Sequence, residues 1–106
     1  MTDRELLELA AKAAGKSGHW DGYVFVLDSY GQDECSAWWP LDNDGDALRL
    51  AVKLGLELDF EHGSCTAALG SRYRETYRHE FQAGEPMERA RRVIVRVAAE
   101  IGKEMP

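Results

Sequence analysis

The first helical pattern of the chain lies at its N-terminus. Thr2 and Glu5 have the spacing of a capping box, in which each side chain satisfies a free backbone amide at the start of a helix. Apolar residues repeat at helical spacing behind them, and Gly15 stands where a left-handed residue ends many helices. The pattern predicts a helix over residues 3–14. Three of its residues are expected to face the core: Leu6, Ala10 and Ala13.

Two further helices are predicted from the same spacing. The segment from Gly45 to about residue 54 is apolar nearly all round, which predicts a deeply buried helix that forms the central core, with Leu48 inside it. Pro86 opens the last helix at its first position, where the missing proline N–H is no loss, and Gly102 is expected to end it. The apolar stripe of this last helix consists of Met87, Ala90, Ile94, Val97 and Ile101.

Alternating and β-branched segments predict strands between the helices. The most regular alternation places Leu56, Leu58 and Phe60 on the inner face of a strand. The expected strands cover residues 20–27, 35–39, 56–62, 65–69 and 72–81. The predicted element order is therefore α-β-β-α-β-β-β-α, and residues 1–106 are expected to form one domain. The corresponding fold class is α/β (α+β), a single-domain α-β-α sandwich with three helices and a mostly antiparallel sheet.

A cluster of aspartates precedes the second helix, at Asp42, Asp44 and Asp46. If this cluster formed an EF-hand loop around its glycine, the first and twelfth ligand positions would fall on Pro40 and Ala51, and neither supplies a side-chain oxygen. The favoured interpretation is that Asp44 or Asp42 caps the helix, while Asp46 lies in the first turn, where the helix dipole favours negative charge. No metal site and no cofactor are predicted.

The segment around these aspartates resembles a known family. The run W-x-P-L-D-x-D-G-D-A-L-R-L-A-V-K-L-G, at residues 38–55, is similar to the phage ABA-sandwich domain of small phage and prophage proteins. Residues 2–15 and 91–102 fit the same family, whereas Trp39 stands where a polar residue such as asparagine is expected. The resemblance implies an α/β sandwich and a phage or prophage origin, and it assigns no catalytic residues.

Composition and charge narrow the function further. With 44% hydrophobic and 30% charged residues, the chain has the composition of a soluble globular protein. No apolar run reaches bilayer length and no signal peptide is evident, so a cytoplasmic location in a host cell and no membrane partner are expected. Cys35 and Cys65 are isolated, which favours reduced thiols over a zinc or disulfide framework.

The net charge of −6 is unevenly distributed along the chain. Residues 1–66 carry thirteen acidic and five basic side chains, whereas residues 67–106 carry six acidic and eight basic ones. Direct nucleic-acid binding is not expected of such an acidic chain, because phosphate neutralisation by lysine and arginine dominates that affinity. The acidic half is suited to attract a basic partner, although charge that merely maintains solubility is the simpler explanation.

Two surfaces are candidates for binding. Alternation places Trp38 and Trp39 on opposite faces of their strand, so an exposed Trp39 beside Asp33, Glu34 and Asp42 would suit a protein–protein contact. The alternative is that both tryptophans pack under the helices.

The second surface consists of three arginines, Arg72, Arg74 and Arg78, which share one face of the last predicted strand. They would suit an anion or an acidic partner, and a solvated face is the alternative. The isolated histidines His19 and His62 have no metal-binding or catalytic spacing, nor does His79.

Together these patterns favour a non-enzymatic accessory protein of a phage or prophage, which binds a host or phage protein. The alternative is a small-ligand or nucleotide-binding domain that uses the arginine face. A hydrolase with carboxylates at Asp42, Asp44 and Asp46 ranks third.

Overall fold

The described part of the chain forms three helices and six strands. The computed structural model describes residues 2–20, 22, 25–27, 37–61, 64–71, 74–81 and 85–105. The elements are α1 (Asp3–Ala13), β1 (Gly18–Trp20), β2 (Phe25–Leu27), β3 (Ala37–Trp38), α2 (Asp44–Leu54), β4 (Glu57–Glu61), β5 (Ser64–Ser71), β6 (Arg74–Phe81) and α3 (Pro86–Glu104). The predicted α+β class, the three helices and the strand over residues 74–81 are confirmed.

The strands form two antiparallel sheets, with the orders β1-β2-β3 and β4-β5-β6. The single strand expected over residues 20–27 is wrong, because Trp20 pairs with Phe25 across a chain reversal. Gly22 lies in this reversal at a φ of 110°, a conformation that favours glycine. The Asp-Gly dipeptide at residues 21–22 was the sequence signal for a hairpin. The observed order is thus α-β-β-β-α-β-β-β-α.

The long helix α3 occupies the middle of the molecule. Its residues Ile94, Val95 and Ala98 belong to a buried cluster shared with α1 and α2. Its residues Val93 and Val97 belong to a second cluster, together with Ala67 of β5. Helix α3 therefore has two buried faces, one toward the other helices and one toward the β4-β5-β6 sheet. No helix in the described part of the chain is long and apolar enough to cross a membrane.

Helix α2 does not form the central core, and this prediction is wrong. Only Ala47, Leu50 and Ala51 are buried in it. Leu48 is 59% exposed and Val52 is 72% exposed. The helix packs on α3 from one side, and its second apolar face is largely exposed.

The inner face predicted for β4 is correct only at its start. Leu56 and Leu58 are half-buried and pack against both apolar clusters. Phe60, however, is 63% exposed, which contradicts its predicted place in the core. Strand β4 lies at the edge of its sheet, so its far end is covered from fewer directions than a central strand. Met87, in the first turn of α3, is exposed as well.

The N-terminal helix follows its predicted signals closely. Thr2 and Glu5 form the capping box, and Gly15 follows the helix at a φ of 72°. Leu6 and Ala10 are buried as expected, whereas Ala13 is only half-buried.

Helices α1 and α3 run in the same direction and approach each other closely. Asp3, at the start of α1, pairs with Arg92 of α3 at 3.2 Å, and the Lys12 ammonium donates to the Met105 carbonyl at 3.0 Å near the ends of both helices. Gly102 was expected to end α3, which is wrong, because the helix continues for two more residues. Gly102 is buried against the backbone of Leu9 in α1.

Candidate functional site

The turn between β3 and α2 lies within residues 38–55, the segment on which the family resemblance rests. Trp38 is buried and its ring meets that of Phe25 edge to face, with centroids 5.9 Å apart. Pro40 and Leu41 are buried in the following turn. The backbone amides of Asp42 and residue 43 both donate to the carbonyl of Trp39, which closes this turn at the entrance of α2.

The cap of α2 is Asn43, not Asp44 or Asp42 as predicted. The Asn43 side-chain oxygen accepts the amide of Asp46 at 2.8 Å. The Asp46 carboxylate in turn accepts the backbone amide of Trp39 at 3.1 Å and pairs with Arg49 at 3.0 Å. The reason is spacing, because a cap accepts from the second or third residue of the helix and Asn43 stands three residues before Asp46.

Asp44 lies at the first helical position and pairs with Arg91 of α3. The Arg91 guanidinium also donates through Nε to the carbonyl of Leu41 at 2.9 Å, and its side chain is only 15% exposed. Arg91 therefore fastens the turn before α2 to the central helix. No spacing rule points to this contact, since its partners lie about fifty residues apart in the sequence.

The aspartates thus face separate partners. Asp44 is paired with Arg91, and Asp46 is shared between Arg49 and the Trp39 amide, while Asp42 is exposed. In the described ranges, no group of three or more histidine, cysteine, aspartate or glutamate residues is placed to hold a metal ion. Asp44 and Asp46 are thus engaged in contacts that join the start of α2 to α3 and to the preceding turn.

Replacing Asn43 by alanine is expected to lower the free energy of unfolding by about 1 kcal/mol, because the Asp46 amide loses its acceptor. Urea denaturation of the two proteins measures the difference. Asn43→Asp is the matched control, since its carboxylate can accept the same hydrogen bond, and it should retain most of the stability. Equal stability of Asn43→Ala and the parent would contradict the assignment of Asn43 as the cap.

The predicted partner-binding residues are described only in part. Trp39 is half-buried, and its ring lies beside Trp20 with centroids 6.3 Å apart and planes tilted by 54°. Asp42 is exposed on the same turn. Asp33 and Glu34 lie outside the described residues. The structure therefore places Trp39 against another aromatic ring, rather than isolated at the surface.

The predicted anion-binding arginines also fall partly outside the described residues. Arg74 and Arg78 lie on β6, where Ser71 pairs with Arg74 and Ala68 pairs with Arg78. Arg72 is outside the described part of the chain, and only the backbone placement of the other two is described. The arginine face stays a prediction.

Sequence reasoning missed an exposed apolar surface on α2, here called the α2 stripe. It consists of Leu48 and Val52, which stand four residues apart and are therefore neighbours on the helix surface. Both side chains are more than half exposed. The apolar composition of α2 was the available signal, but it was interpreted as burial within the protein itself.

A cleft of about 530 Å³ lies between α1 and β1 and is here called the α1–β1 cleft. Its wall on α1 includes Arg4, Glu8 and Lys12, and its opposite wall includes His19 and Trp20. The Arg4 guanidinium is bound to the Glu8 carboxylate at 2.8 Å. Positive and aromatic side chains therefore meet in a concave surface on an otherwise acidic protein.

Comparison of the chain with protein-family models, with curated proteins and with solved structures finds no match in any of the three.

Proposed function

We propose that the protein is a non-enzymatic accessory protein that binds another protein through the α2 stripe. The observation that carries the proposal is the exposure of Leu48 and Val52, at 59% and 72%. Single exposed apolar residues are common on protein surfaces. Two aliphatic neighbours on one helix are different, because covering both with a partner would contribute on the order of 3 kcal/mol to binding.

The geometry of α2 suits such a contact. Its opposite face is anchored by Leu50 and Ala51 in the core, and its start is fixed by the Asn43 cap and by the Asp44–Arg91 pair. The stripe is therefore held on a rigid, well-anchored helix before the partner arrives. A preorganised surface loses little conformational freedom on binding, which favours affinity.

The phage or prophage origin is part of the same proposal, and it rests on the resemblance of residues 38–55. In this structure that segment anchors α2 through Trp38, Asn43 and Asp46. The motif thus supports the helix that presents the α2 stripe. Its aspartates act structurally, which supports a binding role rather than a catalytic one.

The test compares proteins captured from a bacterial extract by the immobilised parent and by Leu48→Ser/Val52→Ser. A specific partner should be enriched by the parent and fall at least tenfold with the double variant, since about 1.4 kcal/mol of lost binding is tenfold in affinity. Both positions are exposed, so the melting temperature should change little. Met105→Ser, which alters an exposed apolar residue at the other end of the described chain, should keep the partner.

A second comparison separates this proposal from the hypothesis that the acidic surface binds a basic partner. If the acidic surface binds a basic partner, reversing Asp33 and Glu34 to lysine should weaken capture, and added salt should weaken it steeply. The α2 stripe predicts the opposite pattern, in which capture survives the reversal and moderate salt. A set of captured proteins that does not depend on Leu48 and Val52 would refute the α2 stripe as the binding surface.

A further inference from the structure

We propose that the α1–β1 cleft binds a small anion that carries a planar ring, of the size and chemistry of a nucleoside monophosphate. None of its described lining residues belongs to the α2 stripe or to the predicted arginine face. Its ligand would be a small molecule rather than a protein, so the inference is independent of the proposed function.

The size of the cleft fits a ligand of this class. Its volume of about 530 Å³ falls within the range of roughly 300–1,000 Å³ that is common for small-molecule sites. One wall is a regular helix and the other is strand β1 with the turn before it. Walls built on regular elements fix the backbone positions from which these side chains extend.

The charge of the cleft is the opposite of the charge of the protein. Among the described lining residues, Arg4, Lys12 and Lys16 stand against one carboxylate, that of Glu8, whereas the whole chain carries −6. Arg4, Glu8 and Lys12 follow one another at four-residue intervals, about 6 Å apart along one face of α1. Because Glu8 is bound to Arg4, the charge left for an anion is concentrated at the Lys12 and Lys16 end.

The donors at that end suit a phosphate group. Lys12 uses one donor on the Met105 carbonyl and an ammonium group has three, so two remain. Lys16 is exposed and lines the same cleft, and Ser17 adds a hydroxyl to the lining. Lysine binds phosphate as a compact point charge, and two of them at one end of a cleft give the phosphate a defined place.

An aromatic wall at the β1 side suits a planar ring. Trp20 lines the cleft and is half-buried. The ring is supported by Trp39, and Phe25 behind it is supported by Trp38. Planar bases stack on such aromatic platforms with little dependence on their identity. A simple phosphate ion would leave this wall unused.

Lys12 and Lys16 also have an alternative role, which the experiment must separate from binding. Both stand near the C-terminus of α1, where positive charge offsets the helix dipole. A purely structural role predicts that their replacement lowers stability and that no ligand responds. A role in ligand binding predicts that their replacement lowers the affinity for the ligand while the fold is retained.

The test is an NMR titration of the whole chain with adenosine monophosphate, and in separate arms with adenosine and with inorganic phosphate. The indole N–H signals of the three tryptophans are followed, and Trp20 is assigned with Trp20→Phe. The monophosphate should bind saturably with a Kd of about 1 mM or tighter and shift the Trp20 signal more than the Trp38 signal. Adenosine alone and phosphate alone should each bind at least tenfold more weakly.

Lys16→Met is expected to weaken binding of the monophosphate about tenfold, which is the effect of one lost charge-assisted contact. Lys53→Met, on α2 and outside the cleft, makes the same change in net charge and should alter the affinity less than twofold. The proposal is overturned if the monophosphate does not saturate, if adenosine or phosphate alone binds as tightly, or if the two lysine variants behave alike. Circular dichroism of both variants verifies that the fold is retained.

Discussion

Replacing Gly102 by alanine is expected to lower the free energy of unfolding by at least about 3 kcal/mol, more than most core substitutions that add a single carbon. A Cβ at this position would lie 2.0 Å from the carbonyl oxygen of Leu9. The obstacle is backbone, so no side-chain rotation can relieve it. Helices α1 and α3 would have to move apart, although Asp3–Arg92 and Lys12–Met105 contacts hold them together on either side.

The loss would be a large share of the total stability, since domains of this size are stable by only about 5–15 kcal/mol. Urea denaturation of the parent and of Gly102→Ala measures it. Gly45→Ala is the matched control, because Gly45 is also helical and the atoms nearest to its added Cβ would be side-chain atoms of Arg49 and Asn43, at 3.1 Å or more. That control should change the stability by at most about 1 kcal/mol.

The opposite result would show that α1 and α3 do not approach each other this closely. Alanine has the highest helix propensity and glycine is about 1 kcal/mol less favourable in a helix interior. If Gly102→Ala stabilised the protein by about that amount, propensity alone would be acting there. The close approach of α1 to α3 at Leu9 would then be wrong.

The sequence predicted local features well where a short-range rule applied. The Thr2–Glu5 capping box, the left-handed Gly15 and Pro86 at the first position of α3 were all predicted and are confirmed. The cap at Asn43 also follows a local rule, since the Asn43 side chain accepts from the third residue of the helix. It was nevertheless assigned wrongly, to one of the neighbouring aspartates. Each of these features depends on residues within one helical turn.

The features that the sequence did not predict depend on contacts between distant segments. Gly102 was interpreted as a helix stop because glycine is common there, whereas its actual role is set by Leu9 on another helix. Arg91 binds the turn before α2 from about fifty residues away. The α1–β1 cleft likewise exists only after β1 has folded back along α1. Periodicity shows that a helix has an apolar face, but it does not show what covers that face.

In α2, the same substitution at two positions measures which apolar residues are covered by the core and which are exposed. Leu50→Ala is expected to lower the free energy of unfolding by about 2–5 kcal/mol, because Leu50 is only 2% exposed and its removal leaves a cavity. Leu48→Ala is expected to change the free energy of unfolding by no more than about 0.5 kcal/mol, because Leu48 is 59% exposed. The same side chain is lost from the same helix in both variants.

Thermal or urea denaturation of the two variants decides between two arrangements of α2. If α2 were the buried centre of the core, as its composition alone indicates, both substitutions would be severe. If α2 lies on α3 with one face outward, only Leu50→Ala is severe, and Leu48 remains available to a partner. Two equally large losses would remove the α2 stripe from the surface, and with it the observation on which the proposed protein-binding function rests.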